Sequence, residues 1–353
     1  MIFTYQKLAI TRFLKKSGNS NKVTLGFTMD YNFIFEIQTA ADFEEAALRV
    51  FKHQYINNPV YQRFCNLLGM AKGSVTQSNQ IPHLPISFFK TKKILSNHKT
   101  EQLRFGSSGT TGSVVSNHYV TDVNVYEQSF KKAFHQFYGA PDSYTILALL
   151  PSYQERQDSS LIYMVQHLIE ASNNPHSGFY LHDTERLATT LKNVDATGQK
   201  ILLIGVSFAL LDLVEQHQFN LKNTIIMETG GMKGRRKELI RSELHNILQK
   251  GFGVPKIHSE YGMTELLSQA YSKGDGIFQC PPWMRVTTRD TEDALTIIDV
   301  DKTGGINVMD LANYHSCAFI ATQDLGKVQK DRSFEILGRF DHSDIRGCNL
   351  MAL

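Results

Sequence analysis

Residues 104–118 read RFGSSGTTGSVVSNH, a run whose residue types suit the holding of an anion. Glycine admits the tight turns that bring successive backbone N–H groups onto one negative charge. Ser107, Ser108, Thr110 and Thr111 add hydroxyl donors, with Gly109 and Gly112 between and after them. The run does not match G-x-x-x-x-G-K-[ST], so it is not a Walker A loop. Its structural alternative is an ordinary surface turn, which uses the same residue types. A second reactive group is the thiol of Cys348, near the terminus in RGCNLMAL. The other cysteines are Cys65, Cys280 and Cys317, and the four together show neither zinc-site spacing nor a disulfide framework. In a reducing compartment all four are thiols.

The elements that must position these groups follow from periodicity. Residues 39–70 read as helices, with Phe43, Ala46, Ala47, Val50 and Phe51 near the 3.6-residue period. Pro82 and Pro85 in IPHLPISFFKTKKIL force an extended entry to the glycine-rich run. Thr121 then caps a helix to about Phe137. From residue 144 strands and helices alternate: TILALL, SSLIYMVQHLIEAS, KILLIGVSFALLDLVEQH, NTIIMETGG and KGRRKELIRSELHNILQKG. That rhythm predicts an α/β fold with a helix-covered sheet, whose ligands sit where glycines and polar residues follow the strands. From about residue 276, RVTTRD, ALTIIDV, GGINVMDL, CAFIATQDLG and SFEILGR read as an antiparallel sheet or small distorted barrel.

The chain of 353 residues is long enough for one large domain or two unequal ones. A net charge of +3 with scattered Lys and Arg argues against broad nucleic-acid binding. The N-terminal MIFTYQKLAITRFLKK has no signal-peptide core, and no stretch is apolar enough for membrane insertion, so a cytoplasmic setting is expected.

Four separated segments together carry a resemblance. SSGTTG, then YGMTE in IHSEYGMTELLSQAY, ATQDLG and LGRFDHSD resemble, in order and rough separation, the phosphate loop, adenylate motif, ribose-binding Asp region and GR-x-D segment of acyl-adenylate-forming enzymes. Within that superfamily the chain more closely resembles the acyl-protein synthetase (LuxE-like) family. IPHLPISFFKTKKIL, RFGSSGTTGS, LLPSYQERQDSSLIYMV, ETGGMKGRR, SEYGMTE and LGRFDHSDIRGCNL carry that likeness over about residues 40–353. Phenylacetate-CoA ligase-like enzymes are more distantly similar.

The resemblance implies an adenylate-forming N-terminal architecture. Residues 1–275 would form the α/β adenylation core with a helical N-terminal part, and 276–353 a β-rich subdomain with an acyl-carrier tail. The superfamily's mobile C-terminal domain, with its catalytic lysine, is expected to be lacking. The implied reaction joins a long-chain fatty acid to AMP from ATP, with Mg²⁺, and then loads the acyl group on Cys348 for a reductase-like or acyltransferase partner. A ligase delivering the group to CoA or a glycan precursor is the alternative, and a non-enzymatic acyl-binding scaffold a third.

By that resemblance Thr264 lies near the adenylate phosphate and Glu265 helps bind Mg²⁺, a hard cation that prefers oxygen. Without the resemblance Glu265 reads as a helix-start carboxylate. Gly230, Gly231 and Gly262 would let backbone approach the nucleotide, and Tyr261 would lie against adenine or else belong to the core. Asp324 can accept from both ribose hydroxyls, or simply begin a DLG turn. Arg339 would contact ribose or phosphate, or pair with Asp341 or another carboxylate. Arg346 and His342 would favour the Cys348 thiolate. His258 and Lys233 are further catalytic candidates. His258 would orient the substrate carboxylate or be a hydrogen-bonded core residue; Lys233 and Lys90 would meet a phosphate or be solvated.

Overall fold

The computed structural model describes residues 31–70, 73–97, 99–107, 114–151, 155–230 and 239–340. Fourteen strands are named here in chain order. They are β1 Leu84–Pro85, β2 Leu103–Gly106, β3 Asn117–Val120, β4 Thr145–Leu149, β5 Gly178–Phe179, β6 Ile201–Val206 and β7 Thr224–Thr229. Then come β8 His258–Tyr261, β9 Ala270–Ser272, β10 Ile277–Gln279, β11 Met284–Arg289, β12 Thr303–Asp310, β13 Phe319–Val328 and β14 Phe334–Arg339.

Twelve of them form one sheet in the order β11-β12-β13-β14-β10-β9-β8-β7-β6-β4-β5, with β1 beside β13. β5, β4, β6, β7 and β8 run parallel. From β8 to β11 each successive pair in that order is antiparallel, while β1 lies parallel to β13. The two halves therefore meet at β8, the strand that carries Tyr261. β2 and β3 pair separately as a ribbon.

The parallel strands are buried on both faces, which explains their nearly continuous apolar sequence. Alternate residues serve different layers, because successive Cβ atoms point to opposite faces. Ile146, Ala148, Leu202, Ile204 and Met227 join one core with Phe130 and Phe134 of helix Val123–Tyr138 and Met164, Val165 and Leu168 of helix Ser160–Ser172. Leu147, Leu149, Ile201, Leu203 and Ile226 join the other with residues of helices Thr184–Ala196, Ser207–Gln216 and Arg241–Phe252. The result is the helix-covered α/β sheet expected.

Two local expectations are corrected. Asp122, not Thr121, caps the helix after β3, accepting from the Asn124 N–H at 3.1 Å. Thr121 is engaged elsewhere, since its hydroxyl accepts from Asn97 Nδ2 at 3.0 Å. ALTIIDV makes a single bridge, Ile297 to Arg289, rather than a strand. Leu295 and Val300 stay exposed there, so no face of the segment is drawn into the core. The 39–70 region divides into helices Ala40–Asn57 and Pro59–Leu67, with Asn58 both ending the first and capping the second. No described helix is long and apolar enough to cross a membrane.

Candidate functional site

The described site is assembled where the β2–β3 ribbon meets the turn after β8. Ser107 and Ser116 close the base of the glycine-rich run: Ser107 N–H donates to the Ser116 carbonyl at 3.0 Å, and Ser116 N–H to Ser107 Oγ at 2.9 Å. Gly106 admits Asp158, whose carbonyl accepts the Gly106 N–H at 2.8 Å; a Cβ would lie 2.8 Å from Asp158 Oδ2. Ser108, Gly109, Thr110, Thr111 and Gly112 lie outside the described residues, as do Gly231, Lys233, Asp341, His342, Arg346 and Cys348.

Ser116 and His118 are two residues apart, so extended backbone presents them on one face. Both reach the YGMTE segment. The Ser116 hydroxyl comes near enough to the Glu265 carboxyl to favour its ionised form. His118 Nδ1 lies 2.9 Å from the Thr264 carbonyl and Nε2 lies 2.9 Å from Ser316 Oγ. A carbonyl only accepts, so Nδ1 carries the proton and Nε2 accepts from the serine. Burial lowers this imidazole to about 4, against the raising effect of the Thr264 bond, so it is neutral at pH 7. Glu265 is buried, and its backbone carbonyl accepts from Asn313 Nδ2 at 2.8 Å. Burial pushes its carboxyl above the usual range, opposed by the nearby Ser116 hydroxyl and by the charges of Arg339 and Lys90. A turn, not a helix, follows it, so the helix-start alternative does not hold.

Tyr261, Asp324 and Arg339 form the second part. The Tyr261 hydroxyl donates to Asp324 Oδ2 at 2.8 Å, and Arg339 Nε lies 3.4 Å from Asp324 Oδ1. The Tyr261 ring meets Phe278 and Phe334 edge-on and is fixed in the core by them. Arg339 is 72% exposed, so its guanidinium is free to engage a ligand while tethered at one side. Burial raises the Asp324 carboxyl, and Tyr261, Arg339, Arg289 and Arg241 pull it back toward the ionised form. Gly230 follows β7 with φ +69°, a conformation that favours glycine, and its carbonyl accepts from Ser207 Oγ at 2.8 Å.

His258 does not join this cluster. It begins β8, three residues and roughly 10 Å of strand before Tyr261. Its Nδ1 lies 3.2 Å from the Tyr138 hydroxyl, and burial, helped by Lys273 and Lys256, lowers it to about 4. This geometry fits the hydrogen-bonded core alternative.

Sequence reasoning passed over Ser116, His118 and Glu260. The first two continue the glycine-rich run on one strand face, a period-2 signal available in SNHYV. Glu260 is a buried carboxyl beside Tyr261; the Thr229 hydroxyl donates to its Oε2 at 2.5 Å. A Cβ at Gly262 would overlap Glu260 Oε1, so that glycine serves a close approach within the protein. Burial raises Glu260 to about 7, opposed by the Thr229 bond and assisted by Glu228.

That displacement has a stability consequence. The protonated Glu260 stabilises the fold fully below the unfolded carboxyl value, and this contribution is lost as pH rises through about 7. Glu260→Gln keeps an acceptor for Thr229 without the charge. It is expected to gain on the wild type between pH 5 and pH 8, by on the order of 3 kcal/mol. Urea unfolding at several pH values measures this; a difference independent of pH would contradict the assignment.

Comparison with known proteins places this geometry in context. The family model described as "Acyl-protein synthetase, LuxE" matches residues 32–352. A "Long-chain-fatty-acid--luciferin-component ligase" of Vibrio harveyi is 25% identical over 332 residues, covering 85% of this chain and 84% of that protein. Among solved structures, 2-hydroxyisobutyryl-CoA ligase in an open conformation with 2-HIB-AMP and CoA superposes with a TM-score of 0.62 at 12% identity, covering 87% of this chain and 72% of that one. A long-chain-fatty-acid-CoA ligase of Archaeoglobus fulgidus gives a TM-score of 0.50 at 15% identity over 68% of this chain and 51% of that one. The chain spans about half the length of several of the solved structures it matches. These structural likenesses concern the fold.

Proposed function

Because the chain belongs to the acyl-protein synthetase (LuxE) family, we propose that it activates a long-chain fatty acid with ATP and then carries the acyl group as a thioester on Cys348. The observation that carries this reading is the convergence of β3 on YGMTE: His118 holds the Thr264 carbonyl, one residue before Glu265, beside the base of the SSGTTG run that Ser107 and Ser116 close.

In the first half-reaction a carboxylate oxygen attacks the α-phosphorus of ATP and pyrophosphate leaves, giving a mixed anhydride. The two reactants are both anions, so the protein must hold them together against repulsion. The residue 107–112 run donates to phosphate oxygens, Thr264 attends the adenylate phosphate, and Asp324 accepts from the ribose hydroxyls while Arg339 adds positive charge. In the second, the Cys348 thiolate attacks the acyl carbonyl and AMP leaves. The acyl group then passes to a partner, reductase-like or acyltransferase. Residues 1–275 would bind acid and nucleotide phosphates; 276–353 would supply the ribose contacts and the carrier.

The donor set fits Mg²⁺. Glu265 is a buried oxygen ligand with no ion pair among the described residues, and these hold no all-protein metal cluster. One carboxylate plus substrate phosphates is a usual arrangement for this ion. Glu265 would hold it, and bound Mg²⁺ would neutralise phosphate charge.

Pyrophosphate release with a panel of acids, followed by peptide mass spectrometry of protein charged with labelled fatty acid and MgATP, tests the proposal. Label in the Cys348 peptide is expected; acyl-AMP without protein label would sink the carrier step. Asp324→Ala is expected to raise the ATP KM by roughly 10- to 150-fold, the ~1.5–3 kcal/mol of a charged hydrogen-bonding group. Equal ATP affinity in the folded variant would remove Asp324 from the site.

A further inference from the structure

We propose that Arg289 is a positioning residue for nucleotide recognition: it fills the break between β12 and β13 beside Asp324 and fixes where that carboxylate is presented, next to Tyr261 and Arg339. The proposal rests on reading Asp324 as the ribose ligand. Its geometric basis is a mismatch between β12 and β13. Gly305 pairs with Leu325 and Asn307 with Ala321, so a step of two residues on β12 spans four on β13. Residues 322–324 therefore leave the regular ladder, and a bulge of this kind re-aims a side chain.

Leaving the ladder frees carbonyl groups that must find donors. Arg289, at the end of β11, supplies them by crossing beneath β12. Its Nη1 donates to the Ile306 carbonyl at 2.6 Å and to Asn307 Oδ1 at 2.9 Å; its Nη2 donates to the Thr322 carbonyl at 2.6 Å. The passage exists because residue 305 is glycine: a Cβ there would lie 2.7 Å from Arg289 Cζ. Thr322 completes the brace. Its hydroxyl donates to the Ile306 carbonyl at 2.9 Å and accepts the Asp324 N–H at 3.1 Å. One guanidinium thus ties β11, β12 and the bulge, one hydrogen bond away from the Asp324 backbone.

The side chain is 8% exposed and has no carboxylate in ion-pair contact among the described residues. Its acceptors are neutral, so the charge is left for longer-range compensation, and Asp324 lies close enough for each to favour the other's ionised form. Arg339 is largely exposed and meets Asp324 by one contact, whereas Arg289 is held at three points. Lysine has neither the fork nor the reach to replace all three bonds.

The test compares ATP with 2′,3′-dideoxyATP in acid-dependent pyrophosphate exchange, for wild type, Asp324→Ala, Arg289→Met, Arg289→Lys and the Asp324/Arg289 double variant. Wild type is expected to favour ATP by at least tenfold in KM, and Asp324→Ala to reduce that preference to below threefold. Arg289→Met is expected to do the same while keeping the kcat for ATP within about threefold. Arg289→Lys should recover part of the preference, and the double variant should be no worse than Asp324→Ala. If Asp324→Ala abolishes the preference and folded Arg289→Met retains it, the positioning role is wrong and the ribose reading stands. If wild type shows no preference, or Asp324→Ala keeps it, both fall. Should Arg289→Met fail to fold, Asn307→Ala removes one of the three anchors. An intermediate loss of preference then supports the proposal, and an unchanged preference overturns it.

Discussion

Cys348→Ala protein is expected to form acyl-AMP at close to the wild-type rate and to capture no acyl group covalently. In the proposed reaction the thiol acts after pyrophosphate has left, so it would contribute nothing to the transition state of adenylation. Glu265→Ala is expected to fail at the opposite point. If Glu265 holds Mg²⁺ as proposed, its removal would weaken stabilisation of the developing phosphate charge, with a loss in the exchange rate on the order of 100-fold or more. Pyrophosphate exchange and hydroxylamine-sensitive acylation, measured separately on each folded variant, distinguish the two steps. Loss of exchange in Cys348→Ala as complete as in Glu265→Ala would make the C-terminal segment part of the adenylation site. Full acylation of Cys348→Ala would assign the acceptor to another residue.

The His118 tautomer sharpens the Glu265 prediction. A neutral imidazole whose Nδ1–H is committed to the Thr264 carbonyl fixes the backbone one residue before Glu265. Glu265→Gln keeps the shape but loses the charge, whereas Ser116→Ala keeps the charge but loses the neighbouring hydroxyl that favours it. The first variant is therefore expected to approach Glu265→Ala in exchange rate, and the second to retain more of it.

What the sequence could disclose follows from the range of the interactions concerned. Strands such as TILAL and ILLIGV are legible because burial on both faces imposes a local apolar run. The meeting of β3 with YGMTE has no local signature, because His118 and Thr264 are 146 residues apart and no local pattern joins them. Tyr261 was read for its ring, yet its hydroxyl makes the contact that matters, to a carboxylate 63 residues away. Arg289 gave no signal, since RVTTRD reads equally well as a strand with an outward-facing arginine; the glycine that admits it lies on the neighbouring strand. ALTIIDV misled for the converse reason: its pattern suits a strand, but no neighbour completes a ladder beside it beyond one bridge.

Asp310 is the clearest case of a residue hidden in an apolar strand that the site depends on, and its replacement carries a large expected effect. Fully buried at the end of β12, it accepts from the Leu267 N–H at 2.8 Å, the Ser268 N–H at 2.9 Å, Ser268 Oγ at 2.5 Å and the Ala312 N–H at 3.1 Å. These donors hold the chain two and three residues after Glu265, so one carboxylate fixes the exit of the YGMTE turn to the antiparallel half of the sheet. Asp310→Ala leaves three amides and a hydroxyl buried without it. At ~1–3 kcal/mol for each unsatisfied group, discounted for relaxation and shared partners, a loss of about 4 kcal/mol is expected. Asp310→Asn keeps one acceptor oxygen but turns an NH₂ toward donors, so an intermediate loss is expected. Urea unfolding gives the stability change, and hydrogen exchange at Leu267 and Ser268 locates it. In the folded fraction of Asp310→Ala, those amides should exchange faster and pyrophosphate exchange should fall with them. Loss of stability with unchanged protection at both amides would mean that the turn holds itself, and that the placement of Glu265 does not depend on Asp310.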